Sequence, residues 1–246
     1  MTISVVTIAK NIISQGYCFW ESLRSCLPLM DELVISEGFS DDKTLYYLEK
    51  FKEKYCNNFP VILYQEKWPE KSYHGEAITE VSMSAINKAT KEWILYLQLD
   101  EIYHELTIDY IKKIVKEPYN AISFPFYHFL GQLQPSNRGY KEAIRTVRRS
   151  KNVKLKGDAW TFENCEPICP SNLCPKPIYH FGSIFPKQNI TKDIEHAKLY
   201  TNIPEYNEKM KKALSNKNTE PYPLTNFNDF PKLAKRFIGL SEYTLP

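Results

Sequence analysis

Residues 93–101 read Trp-Ile-Leu-Tyr-Leu-Gln-Leu-Asp-Glu, an apolar run of strand length that ends in two acidic side chains. A run of this kind is typical of a strand buried on both faces of a sheet. Three other apolar runs precede it, at residues 3–9, 32–36 and 61–64. We therefore expect four strands in the first hundred residues. The fourth, over 93–99, is followed directly by the acidic residues Asp100 and Glu101.

Helical patterns separate these runs. Over residues 78–89 the apolar positions recur at the spacing of one helix face; they are Ile78, Val81, Ala85, Ile86 and Ala89. Strands and helices that alternate in units of about 30 residues predict a mostly parallel sheet covered on both faces. The first part of the chain is therefore expected to be an α/β unit.

The pattern changes after Leu106. We expect a helix capped by Thr107 and then shorter strands, mixed or antiparallel, at residues 121–130, 142–149, 153–156 and 178–181. The Cys- and Pro-rich stretch 165–177 predicts a loop, because proline cannot donate within a central ladder. From Thr191 onward a polar helical pattern predicts a C-terminal extension.

The last helical pattern carries an apolar stripe that either docks on the core or lies on a membrane surface. The stripe consists of Phe230, Leu233, Ala234, Phe237 and Ile238. Together these patterns predict an α/β unit over 1–105, a second half of the same domain over 106–200, and a helical extension over 201–246.

Composition narrows the class of protein. The 246 residues are 43% hydrophobic with a net charge of +3, which indicates a globular chain. There is no apolar run of about 20 residues to span a bilayer and no N-terminal secretion pattern, so we expect a cytoplasmic protein, membrane-associated at most at its periphery. The eight glycines form neither GxGxxG nor GxxxxGK[ST], which argues against dinucleotide and P-loop enzymes.

Six cysteines are present without a CxxC pair, and reduced thiols are the expected state. Cys165, Cys169, Cys174 and His180 could form a Cys₃His zinc site, although their spacing is looser than that of structural zinc knuckles. The zinc site is kept as the alternative.

Ligands of open α/β sheets bind beyond the carboxyl ends of the strands. The first, second and fourth runs end in largely polar segments: TIAKN at 7–11, EGFSDDKT at 37–44 and QLDE at 98–101. This ordered set resembles the nucleotide-sugar half of the GT-A glycosyltransferases, in particular the inverting family-two group with its DGGSTDGT-like turn and WILxLDADE-like strand. IYHFG at 178–182 and DEIYHE at 100–105 resemble motifs of a subgroup.

The resemblance implies a GT-A fold, with a central, mostly parallel mixed sheet flanked by helices. It also implies an inverting, divalent-metal-dependent, hexosyltransferase-like enzyme that moves a sugar from a nucleotide diphosphate sugar to a hydroxyl of a glycan, lipid or protein. Residues 1–105 would bind the donor, and 106–200 would form the acceptor side. The missing QxxRW signature favours transfer of a single sugar.

Site residues follow from the same motifs. Mn²⁺ or Mg²⁺ would be held by Asp100, at the end of a buried strand, and by His180, because such ions take few protein ligands beside phosphates. The open alternatives are a solvated strand-end acid and a core histidine.

The donor's nucleoside would contact Glu37 and Gln98. Gln98 stands at the first acidic position of the family's DxD motif; it can bond ribose but carries no charge. Thr7 and Asn11 flank the same pocket.

Inverting transfer also requires a base that takes the proton from the acceptor hydroxyl. Asp158, in the sequence KGDAW, is the candidate, because Gly157 permits close approach and Trp160 offers a face for sugar stacking. Glu163 and Glu166 are the competing acids.

The second half of the chain is basic. Residues 1–120 carry 13 basic and 18 acidic side chains, residues 121–246 carry 19 and 11, and the segment 138–156 alone has eight basic residues and one acid. This basic segment could attract the donor diphosphate, a lipid phosphate or nucleic acid, or it could be a solvated ribbon face. Tyr140 is its only aromatic residue, so nucleic acid is not expected as a partner.

Two other functions remain open from the sequence. A nucleotidyltransferase would share the α/β half and the metal-binding aspartate, although the glycine-rich loop after the first strand is missing. A non-catalytic nucleic-acid or membrane-surface module would use the basic segment and the 230–238 helix, and Gln98 in place of an acid favours it.

Overall fold

The computed structural model describes residues 1–69, 75–130, 135–136, 139–150, 152–185, 188, 191–192, 230–237 and 244–245. Most of the predicted helical extension, residues 193–229, lies outside the described residues.

Twelve strands and four α-helices are described. In chain order they are β1 Ile3–Ala9, α1 Phe19–Cys26, β2 Glu32–Glu37, α2 Thr44–Tyr55, β3 Val61–Gln65, α3 Glu76–Lys88, β4 Trp93–Tyr96, β5 Glu101–Tyr103, α4 Glu105–Ile114, β6 Ala121–Leu130, β7 Pro135–Ser136, β8 Glu142–Arg148, β9 Lys154–Lys156, β10 Thr161–Glu163, β11 Ile168–Cys169 and β12 Ile178–Ser183. Short 3₁₀ helices cover Leu27–Leu29, Ser171–Leu173 and Lys232–Phe237.

One mixed sheet joins the two halves of the chain, in the order β3-β2-β1-β4-β8-β6-β12-β5. Strands β3, β2, β1 and β4 are parallel neighbours, as their apolar runs predict. Strand β8 is antiparallel to β4 and β6, and β12 is parallel to β6 and antiparallel to β5. The predicted change from a parallel to a mixed sheet is confirmed.

The sheet curls back on itself at the β4–β5 connection. Only residues 97–100 join these strands, yet β8, β6 and β12 stand between them in the sheet. Four strand spacings in a flat sheet amount to about 19 Å, whereas the connection spans at most about 17 Å when fully extended. The curl therefore brings the end of β4 close to β12.

Alternating side chains bury both faces of the parallel strands. Val5, Leu33 and Leu95 pack into one core cluster with Phe19 and Leu23 of α1. The neighbouring residues Val6, Val34 and Ile94 pack into a second cluster with Ala85 and Ile86 of α3. Helices therefore cover both faces, and the carboxyl edge of the sheet is left for polar groups.

Two predicted boundaries beside the site are wrong. Strand β4 ends at Tyr96 instead of residue 99, because the chain turns, with the Glu101 amide donating to the Gln98 carbonyl at 2.9 Å. The cap of α4 is His104 instead of Thr107: the His104 Nδ1 accepts from the Leu106 amide at 3.1 Å. Thr107 lies within the first turn, and its hydroxyl donates to the Lys176 carbonyl at 2.9 Å.

The described part of the C-terminal stripe lies against the core. Phe230, Ala234 and Phe237 are buried, and Phe230 packs its ring against Phe129 and Tyr179. These side chains are therefore not available to a membrane surface in this conformation. Among the helices described, none combines the length and the apolar character needed to cross a bilayer.

We expect Leu95→Ala to lower the free energy of unfolding by about 2–5 kcal/mol, because it removes a fully buried side chain from the central sheet. Urea denaturation measures the change. Leu106→Ala is the control: Leu106 is 49% exposed, and its loss should cost less than about 0.5 kcal/mol. Equal losses in the two variants would contradict the described burial.

Candidate active site

The turns after β1 and β2 hold each other at the carboxyl edge of the sheet. The Asn11 amide donates to the Ser40 hydroxyl at 2.8 Å, and the Asp41 amide donates to Asn11 Oδ1 at 2.8 Å. Asn11 and Phe39 both have left-handed backbone, with φ of 52° and 51°. Asparagine tolerates this conformation better than phenylalanine does. Phe39 is also 56% exposed, so the turn presents an aromatic ring to solvent.

Glu37 holds its own turn. Its carboxylate accepts from the amides of Phe39 at 3.1 Å and Ser40 at 2.8 Å, and from Gln65 Nε2 at 2.7 Å. Glu37 and Thr7 are both fully buried. The structure thus places both beneath the edge where a nucleoside was predicted to bind, and their contact with a ligand stays a prediction.

Asp100 lies between β4 and β5 and is 5% exposed. Its Oδ2 lies 2.8 Å from the Lys192 ammonium and 3.5 Å from His180 Nε2. Burial lowers the pKa of Lys192, but Asp100 and Tyr17 shift it more strongly upward, so the net pKa is raised and the ammonium stays charged. Lys192, which lies over the Tyr17 ring at 3.9 Å, is a site residue that the sequence reasoning missed.

His180 connects Asp100 to a second histidine. His180 Nδ1 lies 3.1 Å from His128 Nδ1, and His128 Nε2 lies 2.8 Å from the Tyr140 carbonyl. Burial lowers the pKa of His180 to about 4 and also lowers the pKa of His128. The sequence reasoning missed His128, because only the pairing of β6 with β12 places it opposite His180.

Gln98 and the β9–β10 turn meet above the end of β4. Gln98 Nε2 donates to the Ala159 carbonyl at 3.3 Å, and the Thr79 hydroxyl donates to the Gly157 carbonyl at 2.6 Å. Asp158 is half-buried between Gly157 and Ala159, both of which have left-handed backbone. The structure therefore brings the predicted base and Gln98 to one place.

The competing acids lie differently. Glu163 is exposed on β10, opposite Lys154. The Glu166 carbonyl accepts from Asn120, beside the start of β6, whereas His128 lies near the end of that strand. Of the three acids, Asp158 is the one that shares a turn with a Gln98 contact.

Arg145 forms a buried ion pair with Glu101. Its Nε lies 3.0 Å from both carboxylate oxygens and its Nη2 lies 2.6 Å from Oε1. Nη2 also donates to the Tyr140 hydroxyl at 2.9 Å, and Nη1 donates to the Trp160 carbonyl. Burial raises the pKa of the Glu101 carboxyl, and the adjacent guanidinium opposes that shift. The pair fastens β5, β8 and the β9–β10 turn to one another.

This pair changes the interpretation of the basic segment 138–156. Arg145 is fully buried, and Arg148 contacts Glu92, so neither offers a free charge at the surface. The exposed basic residues of the segment among those described are Lys141, Arg149, Lys154 and Lys156. A solvated ribbon face accounts for these four.

The cysteines do not assemble the alternative zinc site. All six are free and buried. Cys169 Sγ lies 3.1 Å from the Tyr110 hydroxyl, and the Cys174 thiol donates to the Lys176 carbonyl at 3.1 Å, while His180 lies beside Asp100. Within the described ranges, no group of three His, Cys, Asp or Glu side chains is arranged to hold a metal ion.

Comparison with known proteins identifies the fold. No protein-family model matches the chain, and no curated protein matches it. Among solved structures, S. aureus TarS 1–349 in complex with UDP-GlcNAc matches with 15% identity and a TM-score of 0.51, over 73% of this chain and 58% of that one. TarS 1–349 alone matches with 16% identity over 89% of this chain and 74% of that one, with a TM-score of 0.49.

The mixed α/β fold, with its curled central sheet flanked by helices, matches that of TarS, and the predicted fold class is therefore confirmed. The structural match with a TM-score of 0.51 shows a shared fold, and at 15% identity the chemistry has to be argued from this chain's own residues.

We expect Arg145→Met to lower the free energy of unfolding by about 3–5 kcal/mol, because it leaves the Glu101 carboxylate buried without its partner. Glu101→Gln should also be strongly destabilising. The double variant should cost less than the two single losses combined, since it leaves no unpaired charge. Urea denaturation of the four proteins measures this coupling, and strictly additive losses would contradict it.

Proposed function

We propose that this protein is a glycosyltransferase that moves a sugar from a nucleotide diphosphate sugar to an acceptor hydroxyl, with inversion and with a divalent cation. The observation that carries the proposal is the pairing of Asp100 with His180 at the carboxyl edge of a GT-A sheet. TarS, which shares this fold, binds UDP-GlcNAc and UDP. A uridine diphosphate sugar is accordingly the first donor to test.

The residues beside Asp100 fit a cation that binds together with the diphosphate. Asp100 Oδ2 and His180 Nε2 are 3.5 Å apart, and both can offer electron pairs. Mg²⁺ and Mn²⁺ commonly take one or two carboxylates or an imidazole beside substrate phosphates. When bound, such a cation neutralises the charge that develops on the departing diphosphate.

Lys192 balances the charge of Asp100 in the conformation described, through the contact at 2.8 Å. Entry of a dication beside Asp100 would displace the ammonium, which could then reach a donor phosphate. Lys192 is therefore proposed as a second cationic group for the diphosphate.

The remaining predicted residues have proposed roles around this centre. Gln98 would hydrogen-bond the ribose, and Asn11 and Glu37 would shape the nucleoside side of the pocket through the turns they hold together. Thr7 supports the same edge from within β1. The acceptor would approach the β9–β10 turn, where Trp160 is half-buried and packs on Tyr140 at 5.5 Å between ring centres.

The alternative of a non-catalytic binding module has less support. In the basic segment that such a module would use, Arg145 is buried in an ion pair with Glu101. In the apolar C-terminal helix, Phe230 and Phe237 are buried in the core. The nucleotidyltransferase alternative has no specific observation in its favour.

Thermal unfolding with UDP, GDP, CMP and dTDP, each with and without Mn²⁺, tests the donor site. One nucleotide with Mn²⁺, at about 100 times its Kd, should raise Tm by about 5–10 °C. Chelation with EDTA should abolish the rise. Asp100→Asn should also abolish it while leaving the protein folded, because the substitution removes the carboxylate that holds the cation.

Asp109→Asn is the matched control, since Asp109 is an exposed acid on α4 and should leave the rise intact. A rise that persists in EDTA would contradict the role of the cation. No rise with any of the four nucleotides would overturn the donor site.

Asp158→Asn tests the proposed base. Donor hydrolysis or transfer should fall by about 10²–10⁴-fold, whereas the nucleotide-induced rise in Tm should persist, because the base acts on the acceptor and does not hold the donor. Glu163→Gln is the control and should retain activity. Full activity of Asp158→Asn would show that another group takes the proton.

A further inference from the structure

Four groups form a chain of contacts from the site into the sheet: Asp100, His180, His128 and the Tyr140 carbonyl. The separations are 3.5 Å from Asp100 Oδ2 to His180 Nε2, 3.1 Å between the two Nδ1 atoms, and 2.8 Å from His128 Nε2 to the carbonyl oxygen. The two histidines stand directly opposite each other in the parallel register of β6 and β12.

Hydrogen-bond chemistry assigns the protons along this chain. A carbonyl oxygen only accepts, so His128 Nε2 carries a hydrogen and donates to Tyr140. A neutral His128 then has a lone pair on Nδ1, and the contact between the two Nδ1 atoms requires that His180 Nδ1 donate. Neutral His180 consequently has its lone pair on Nε2, the nitrogen that faces Asp100.

We propose that His128 is a positioning residue: it fixes the tautomer of His180 so that the Nε2 lone pair is presented to a divalent cation beside Asp100. For neutral rings, the hydrogen bonds assign the tautomer, and its use for a cation rests on the proposed function. His128 itself contacts neither cation nor donor in this assignment.

The surroundings of both rings are built to hold them in place. A Cβ on Gly182 would lie 2.6 Å from His180 Cε1, and a Cβ on Gly139 would lie 3.0 Å from His128 Cδ2 and Nε2. Phe126 stacks on the His128 ring at 5.7 Å, and Tyr140 meets it edge-on at 4.6 Å. Because Gly182 and Gly139 have no side chain, the backbone at these two positions packs directly against the imidazole rings of His180 and His128.

A hydrogen on His180 Nε2 would require a charged imidazole. A charged His180 would donate from both nitrogens, to His128 and toward Asp100. A charged His128 would also donate from both nitrogens, so His180 would accept at Nδ1 and carry its hydrogen on Nε2. The His180 side chain is 19% exposed. His128 is only 7% exposed, and burial disfavours the charged form. Arg145, which is already paired with Glu101 and donates to the Tyr140 hydroxyl, adds a positive charge nearby that opposes a second one.

Groups that orient a metal-binding histidine typically change metal affinity by about 10–100-fold when removed. His128→Phe removes the acceptor for His180 Nδ1. His128→Asn can supply an amide oxygen near the position of Nδ1, so it is the conservative replacement. The two variants separate loss of the hydrogen bond from a change of side chain as such.

The first experiment is ¹⁵N NMR of the histidine rings in the metal-free protein at pH 7.5. We expect His180 to carry its hydrogen on Nδ1 and to lack one on Nε2, and His128 to carry its hydrogen on Nε2. In His128→Phe, the His180 signals should shift toward a mixture of tautomers. A His180 with its hydrogen on Nε2 in the unsubstituted protein would overturn the proposal without bearing on whether the protein is a glycosyltransferase.

The second experiment measures Mn²⁺ affinity by electron paramagnetic resonance in the presence of UDP. His128→Phe should bind Mn²⁺ about 10–100-fold more weakly, and His128→Asn should stay within a few-fold of the unsubstituted protein. His104→Asn is the control, because His104 caps α4 and asparagine also caps helices well. Unchanged Mn²⁺ affinity in His128→Phe would overturn the positioning role.

The two readouts also separate the proposals from each other. Absence of Mn²⁺ binding in the unsubstituted protein, combined with the expected tautomers, would reject the cation of the proposed function and leave His128 as an organiser of His180 alone.

Discussion

The buried pair of Glu101 and Arg145 is the interaction on which the shape of the site depends. β5 and β8 carry the two residues and are separated in the sheet by β6 and β12, yet the ions meet at 2.6 Å. In a flat sheet the two strands would lie about 14 Å apart, so the contact requires the curl. The same guanidinium donates to the Tyr140 hydroxyl and the Trp160 carbonyl, and it thereby fixes the β9–β10 turn relative to Glu101, the residue after Asp100.

Charge and burial together explain why this pair organises the site instead of merely stabilising it. A carboxylate removed from water is costly unless its hydrogen-bonding capacity is filled. Arg145 fills it from two directions, so Glu101 has a restricted set of positions, and Asp100 beside it is restricted in turn. Phe181 adds to this, because its amide donates to the Asp100 carbonyl at 2.7 Å.

Much of the fold follows from local patterns in the sequence. The runs that became β1, β2 and β3 are mostly apolar, although Ser4, Thr7 and Ser36 are also fully buried, and their bounds differ from the prediction by at most one residue. β4 is shorter than its apolar run because Leu97 and Leu99 are buried in the turn that follows the strand. An apolar residue in the sequence indicates that the position is buried. Whether that position lies in a strand or in a buried turn depends on which partner its backbone hydrogen-bonds. His104 displaced Thr107 as the cap of α4 for a similar reason, since Thr107 has a partner 69 residues away.

The site residues that lie in sequence motifs could be predicted, whereas those that reach the site through contacts between distant parts of the chain could not. Asp100 and His180 come from motifs, and the structure brings them together. Lys192, His128 and the partner of Arg145 depend on strand order and curl, which no local pattern contains. Glu37 illustrates a further limit: the residue type suits a nucleoside contact, but the carboxylate is engaged by two amides and Gln65, and only the folded turn reveals this.

The C-terminal segment has a consequence for biosynthesis. Arg236 contacts the buried carboxylate of Glu21, 215 residues earlier, and Phe230 covers the rings of Phe129 and Tyr179. Synthesis proceeds from the N-terminus, so α1, β6 and β12 all emerge from the ribosome before the residues that cover them, α1 by the widest margin. The nascent chain therefore exposes an aromatic surface until the residues up to 237 have emerged from the ribosome.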